Sequence, residues 1–92
     1  MSFLSRFTGP KYNDEQLAHR ATVAVKEDPL IDASLDVQIE SEKGVVTISG
    51  TVHKEPEADR IEGDVRSTLR DAGLKFDRIE NELEVHEPVS IV

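Results

Sequence analysis

The segment that most constrains the fold is residues 44–52, which read GVVTISGTV. A glycine precedes an alternating run of β-branched residues, a pattern typical of a half-buried β-strand. We expect Val46, Ile48 and Val52 to face the core and the residues between them to face away from it. Gly50 occupies an inward position and weakens the strand unless another element approaches closely there, and we expect that element to be a packed helix.

The preceding residues predict the other half of a β-hairpin. Residues 35–40 alternate strictly between apolar and polar side chains, which predicts a first strand. Residues 41–44 then form the turn, with Gly44 as the residue at positive φ. The first two strands are therefore antiparallel neighbours.

Apolar residues at helical spacing predict two helices. The first starts with Asn13 as its cap and ends at Asp28, because Pro29 forbids helical geometry at the residue before it. The second begins near Pro56 and stops at Gly73. Its predicted sheet-facing residues are Ala58, Ile61, Val65, Leu69 and Ala72.

Residues 79–85 predict a third strand after the second helix. Its register places Asn81 inward, where we expect the amide to bond to backbone at a sheet edge. A strand–helix–strand crossover makes the second and third strands parallel. The chain is therefore predicted to be an α+β domain of order α-β-β-α-β, with a three-stranded mixed sheet, two helices packed on one face and the other face wet.

The length and composition predict that the chain forms one domain, since 92 residues with 37% hydrophobic content build a single small core. We expect residues 1–12 to form a flexible N-terminal arm, residues 13–87 the folded domain and residues 88–92 a tail. The absence of cysteine excludes disulfides and thiolate metal sites. We predict no cofactor.

Charge and hydropathy narrow the classes of partner and the compartment. The net charge of −8 argues against nucleic acid, whose phosphates demand a basic surface. No apolar run approaches the ~18 residues of a membrane-spanning helix. The apolar stretch at the N-terminus is too short for a secretory signal. We expect a cytoplasmic location for the chain as written, and a periplasmic one if an upstream export signal is missing.

The N-terminal arm combines large apolar residues with cations, whereas the rest of the chain is acidic. One interpretation is a frayed end. The other is an amphipathic arm whose apolar residues touch a membrane surface or a protein while its cations meet phosphate. The candidate contact residues are Phe3, Leu4, Arg6, Phe7 and Lys11.

The third strand offers a candidate cation site. Glu80, Glu82 and Glu84 share one strand face, and hard cations prefer oxygen ligands. The alternative is a charged edge that prevents strand pairing between molecules. The three histidines have no metal-ligand spacing, and no nucleophile, phosphate-binding or dinucleotide motif is present. We therefore predict no catalytic residues, no dedicated metal site and no enzyme activity.

With these elements assigned, the chain resembles a BON domain, a small module of bacterial osmotic-stress, outer-membrane and secretion proteins. The similarity extends over about residues 14–85 and rests on residues 27–29 (EDP), 44–52 and 79–85 (IENELEV). Gly44, Gly50 and Gly73 are its structural glycines. The resemblance implies a non-catalytic binding module, often one that contacts phospholipid at the cell envelope, although some members are cytoplasmic and one binds potassium.

Three functions follow as expectations. The first is a membrane-associated BON-type module that contacts phospholipid or an envelope-stress partner. The second is a cytoplasmic, cation-responsive domain that uses the acidic sheet face. The third is an oligomerising or docking module, including a weak homo-oligomer, because a three-stranded sheet has exposed edges.

Overall fold

The computed structural model describes residues 11–87. Their elements are α1 (Asp14–Glu27), β1 (Asp36–Glu42), β2 (Val45–Val52), α2 (Glu55–Asp71), β3 (Arg78–Asn81) and β4 (Glu84–Val85). The central strand is β2, which pairs antiparallel with β1 on one side and parallel with β3 and β4 on the other. The predicted α+β class and mixed sheet are confirmed.

Both helices contribute to one hydrophobic core on one face of the sheet. The α1 stripe supplies Leu17, Ala21 and Val25, and the sheet meets it with three fully buried side chains of β2. The α2 stripe completes the cluster with Ala58, Ile61, Val65 and Leu69. Within residues 11–87, neither helix is long and apolar enough to cross a lipid bilayer.

The hairpin turn is tighter than predicted. β1 continues to Glu42, which pairs with Val45, so only Lys43 and Gly44 remain in the loop. Their φ values are 51° and 82°, the two positive angles that a type I′ turn requires. The expected positive φ of Gly44 is confirmed, but the predicted four-residue turn is wrong, because the twist of a I′ turn lets the ladder close on Glu42 and Val45.

Gly50 permits a close approach, but from a strand and not from a helix. Its φ is +122°, and a Cβ atom there would lie 1.8 Å from the carbonyl oxygen of Asp36 on β1. The expectation of a packed helix at this position is therefore wrong. The glycine is required by the backbone of the paired strand and by a φ that other residues rarely adopt.

The third predicted strand is divided into β3 and β4 by Glu82 and Leu83. The side chain of Asn81 makes the break: its Nδ2 donates to the carbonyl of Ala58 at 3.2 Å, and its Oδ1 accepts from the N–H of Leu83 at 3.0 Å. The predicted backbone bonding of Asn81 is confirmed. The prediction of one continuous strand is wrong. The Asn81 amide takes the place of strand-to-strand hydrogen bonds at the level of Gly50, where the backbone of β2 is irregular.

The end of α2 is a Schellman motif at Gly73, whose φ is +68°. The N–H of Leu74 donates to the carbonyl of Leu69 at 3.0 Å, and the N–H of Gly73 donates to that of Arg70 at 3.0 Å. Gly73 thus stops the helix as predicted. Ala72 is exposed, so its predicted place against the sheet is wrong: it follows the last helical turn.

The two glycines Gly50 and Gly63 provide a matched test of this fold. We predict that Gly50→Ala lowers the free energy of unfolding by about 2–4 kcal/mol, because the new methyl group meets β1 backbone and φ is unfavourable. Gly63→Ala, on α2 with nothing within 4 Å of the added atom, should raise it by up to about 1 kcal/mol. Urea denaturation followed by circular dichroism measures both changes. Equal effects of the two substitutions would contradict the close approach at Gly50.

Candidate functional site

An apolar groove lies between α1 and β1. Its cavity is about 70 Å³ and is smaller than the ~300 Å³ at which small-molecule pockets begin. Six of the nine lining residues are apolar: Val25 from α1, Ile31 and Ala33 from the following loop, and Leu35, Val37 and Ile39 from β1 and its approach. The groove therefore has the size and lining for one or two protein side chains.

The groove opens along the edge of the sheet. Within residues 11–87, β1 pairs only with β2, so its outer edge is unpaired. Val37 and Ile39 are half-buried, in contrast to the fully buried Val46 and Ile48 of the central strand. Apolar side chains and free backbone groups are thus presented side by side.

The opposite face of β1 is acidic. Asp36, Glu40 and Glu42 alternate with the groove residues and are exposed. They lie opposite Thr51, Thr47 and Val45 of β2. A segment that lies along this edge therefore meets apolar groups on one side and carboxylates on the other.

One end of β1 is attached to α1 through Asp14. Its carboxylate accepts hydrogen bonds from the Ser41 hydroxyl at 2.7 Å, the Lys43 N–H at 2.8 Å and the Gly44 N–H at 2.9 Å. These bonds, led by that of Ser41, lower the pKa of Asp14 below its ordinary value. The start of α1 and the hairpin turn are consequently held together at the far end of the groove.

Tyr12 covers the same turn. Its ring is half-buried against the core and packs on Gly44, where a Cβ atom would lie 2.7 Å from ring carbons. The carbonyl of Gly44 also accepts the N–H of Asp77 at 2.8 Å. Gly44 is therefore needed for contact as well as for its positive φ, and the packed part of the chain already includes Tyr12.

The near end of the groove is held by Asp28. Its side chain is only 5% exposed and forms a bidentate pair with Arg60 of α2, with Nε–Oδ2 at 2.6 Å and Nη2–Oδ1 at 3.0 Å. Oδ1 also accepts the N–H of Leu30 at 2.9 Å. This turn buries Ile31 in the groove wall and leaves Leu30 70% exposed.

Asp64 completes this cluster. It lies one helical turn after Arg60, and its Oδ2 is buried with no hydrogen-bond donor among residues 11–87. Burial, with Asp28 as its neighbour, raises the pKa of Asp64 to about 6, while Arg60 holds the pKa of Asp28 well below its ordinary value. Below about pH 6, Asp64 therefore carries a proton while Asp28 stays ionised beside Arg60.

The first group of predicted site residues is the N-terminal arm. Phe3, Leu4, Arg6 and Phe7 of the arm lie outside the described residues, whereas Lys11 is exposed with its Nζ 5.5 Å from the centre of the Tyr12 ring. The tail, residues 88–92, also lies outside them.

The carboxylates of the cation hypothesis make local contacts. Glu80 pairs with Arg78 at 2.9 Å, and Glu84 lies 3.6 Å from His86. Glu82 is exposed in the break between β3 and β4. Among residues 11–87, no group of three or more histidines or carboxylates is arranged to hold a metal ion. The structure therefore does not bring Glu80, Glu82 and Glu84 together as a ligand set.

The residues that shape the groove were missed by sequence reasoning. Asp28 was interpreted only as the end of the first helix before Pro29, and nothing in the position of Asp14 after the Asn13 cap indicated its contact with the hairpin turn. The spacing of Arg60 and Asp64 places both on one face of α2, and this was the available indication of a polar contact. Their common partner is 32 residues from Arg60 along the chain, so no local pattern identifies it.

The proton on Asp64 makes stability depend on pH. The folded protein keeps it up to about pH 6, whereas the unfolded chain releases it near the ordinary value of 3.8. Its stabilising contribution is complete below 3.8 and is lost as pH rises through about 6. The contribution of Asp28 has the opposite sign, being present above 3.8 and lost as pH falls below it.

We predict that Asp64→Asn, which keeps a neutral donor beside Asp28, raises the free energy of unfolding by about 1–2 kcal/mol near pH 7.5 and changes it little near pH 4. Urea denaturation at the two pH values measures this difference. Asp59→Asn, at an exposed position of the same helix, is the control and should change neither value appreciably. An Asp64→Asn variant whose stability follows the wild-type pH dependence would show that the folded protein does not hold a proton on Asp64 up to about pH 6.

No protein-family model matches this chain, and no curated protein is significantly similar to it. The similarity to BON domains therefore stays a prediction, and the functional argument rests on the geometry of the groove and its edge.

Proposed function

We propose that this chain is a non-catalytic protein-binding module that holds its partner in the groove between α1 and β1. The observation that carries the proposal is the half-buried state of Val37 and Ile39 beside an unpaired strand edge. Covering such side chains yields about 25 cal/mol for each Å² of apolar surface removed from water. In the groove, an apolar lining and free backbone groups adjoin.

The shape and lining of the groove support a role in binding and not in catalysis. Its polar lining consists of Thr22, Lys26 and Asp32, which border an apolar floor. Asp32 already accepts hydrogen bonds from the N–H and hydroxyl of Ser34, at 2.9 and 2.7 Å. Such a lining favours the placement of a partner side chain.

The two carboxylate contacts described above support a preformed site. Asp14 holds the hairpin turn at one end of β1, and Asp28 holds the loop at the other end. A site fixed at both ends loses little conformational entropy when it binds, which favours affinity for a given contact area.

A peptide selection tests this function directly. Random dodecapeptides displayed on phage are selected on the full chain and then measured against two variants. Val37→Lys places a charge in the groove, and Val23→Lys is the matched control, since Val23 is a 37% exposed valine outside the groove lining. We predict that selected peptides bind the wild type and Val23→Lys equally and lose at least about tenfold in affinity for Val37→Lys.

Thermal unfolding of the three proteins verifies that each is folded at the binding temperature. Peptides that bind all three proteins equally, or a selection without enrichment, would show that the groove is not a protein-binding site.

Membrane binding remains a second proposal, and the composition of the arm supports it. Residues 1–13 contain Arg6 and Lys11 and no acidic residue, whereas the rest of the chain is strongly acidic. An anionic lipid surface attracts basic segments and repels acidic ones, so the contact would have to come through the arm. The large apolar residues exposed among residues 11–87 are Val23 and Leu30.

Membrane binding through the arm predicts that the full chain co-sediments with anionic phospholipid vesicles at low salt and that a chain lacking residues 1–12 does not. Neutral phosphatidylcholine vesicles are the control, since they lack the charge that attracts Arg6 and Lys11. If both proteins stay in the supernatant with anionic vesicles, the membrane proposal is wrong.

A further inference from the structure

We infer that the outer edge of β1 binds an extended segment of another protein as an added antiparallel strand, in which apolar residues alternate with lysine or arginine. This inference rests on the proposed function, because it names the partner that the groove would hold. It is carried by the register of the hairpin, the position of the groove and the charge of the open face.

The register identifies the backbone groups that are free. A two-residue turn closes on a hydrogen-bonded pair, which here is Glu42 and Val45, and bonded pairs then alternate along the ladder. Residues 36, 38, 40 and 42 therefore direct their N–H and C=O groups toward β2. Val37, Ile39 and Ser41 direct theirs away from it, where residues 11–87 supply no further strand. The edge thus offers three consecutive donor–acceptor positions.

The same three residues define the side-chain pattern of the partner. An added strand would lie about 4.8 Å outside β1, with each residue that pairs with Val37 or Ile39 pointing to the same side as they do. That side is the groove, where Val25 and Ile31 form the far wall. Apolar side chains at these partner positions would extend the core layer beneath α1.

The charge of β1 determines the other positions. Asp36, Glu40 and Glu42 are exposed on the open face. Positively charged partner residues beside them would therefore form favourable cross-strand charge pairs. A second copy of this chain is a poor occupant, because antiparallel pairing of two β1 strands centred on Ile39 places Asp36 opposite Glu42. The same carboxylates that discourage self-pairing therefore select a basic partner.

A titration of the ¹⁵N-labelled full chain with a synthetic heptapeptide of alternating lysine and valine tests the inference. The amides of Val37, Ile39 and Ser41 should shift and exchange with deuterium at least tenfold more slowly. The first matched control replaces each lysine by glutamate and should bind at least tenfold more weakly at low salt. Equal affinity of the lysine and glutamate peptides would overturn the charge selection.

Backbone pairing is tested by two N-methylated forms of the lysine–valine peptide. Methylation at the valines removes the N–H groups that face β1 and should weaken binding at least tenfold. Methylation at the lysines, whose N–H groups face away, should leave the affinity within about threefold. If both methylated peptides bind as well as the parent, strand addition is wrong.

The outcomes separate this inference from the function on which it rests. Binding that is lost with Val37→Lys but is insensitive to N-methylation overturns strand addition and leaves the groove as a binding site.

The same measurements test two other possible occupants of the β1 edge. A tenfold rise in peptide affinity when residues 1–10 are deleted assigns the edge to the chain's own N-terminal segment. A dimer that the peptide dissociates assigns the edge to a second copy. Either result overturns the proposed partner.

Discussion

The structure depends on two aspartates that attach the ends of α1 to the rest of the fold. Asp14 accepts three hydrogen bonds from the hairpin turn, and Asp28 pairs with Arg60 while it shapes the loop before β1. These contacts matter because β1 contributes only half-buried side chains to the core. Hydrophobic burial alone would hold the edge strand weakly, and the two carboxylates add polar contacts at both of its ends.

The groove is a consequence of a small core with helices on one face. The helices bury Val46, Ile48 and Val52 of the central strand completely and cover the edge strand in part. Residues 11–87 cover that edge only in part, as is usual for a small domain, which buries a smaller fraction of its surface. The acidic residues of β1 oppose pairing of the exposed edge with a second copy, because like charges would face one another. Incomplete burial and charge protection together produce a surface that suits a basic, extended partner.

The cluster of Asp28, Arg60 and Asp64 supports the loop that contributes Ile31 to the groove. A buried acceptor without a donor is unfavourable, and the raised pKa of Asp64 reduces that cost below about pH 6, where the carboxyl keeps a proton. Arg60 compensates the remaining charge on Asp28 through two bonds. The loop that buries Ile31 is therefore supported by an arrangement whose strength depends on pH, although neither carboxyl lines the groove itself.

Periodicity and local backbone geometry were sufficient to predict the element order, the helix boundaries at Asn13 and Gly73, the inward residues of β2 and the turn at Gly44. The contact of Gly50, the break in the third strand and the lining of the groove became visible only in the packed fold. Gly50 meets the carbonyl of Asp36, and Asn81 bonds to Ala58, which lies 23 residues away in the chain. Asp28, Arg60 and Asp64 likewise meet only after both helices have packed on the sheet. Contacts between distant residues leave no periodic pattern in a single sequence, and this is the physical reason that the fold was predictable and the candidate site was not.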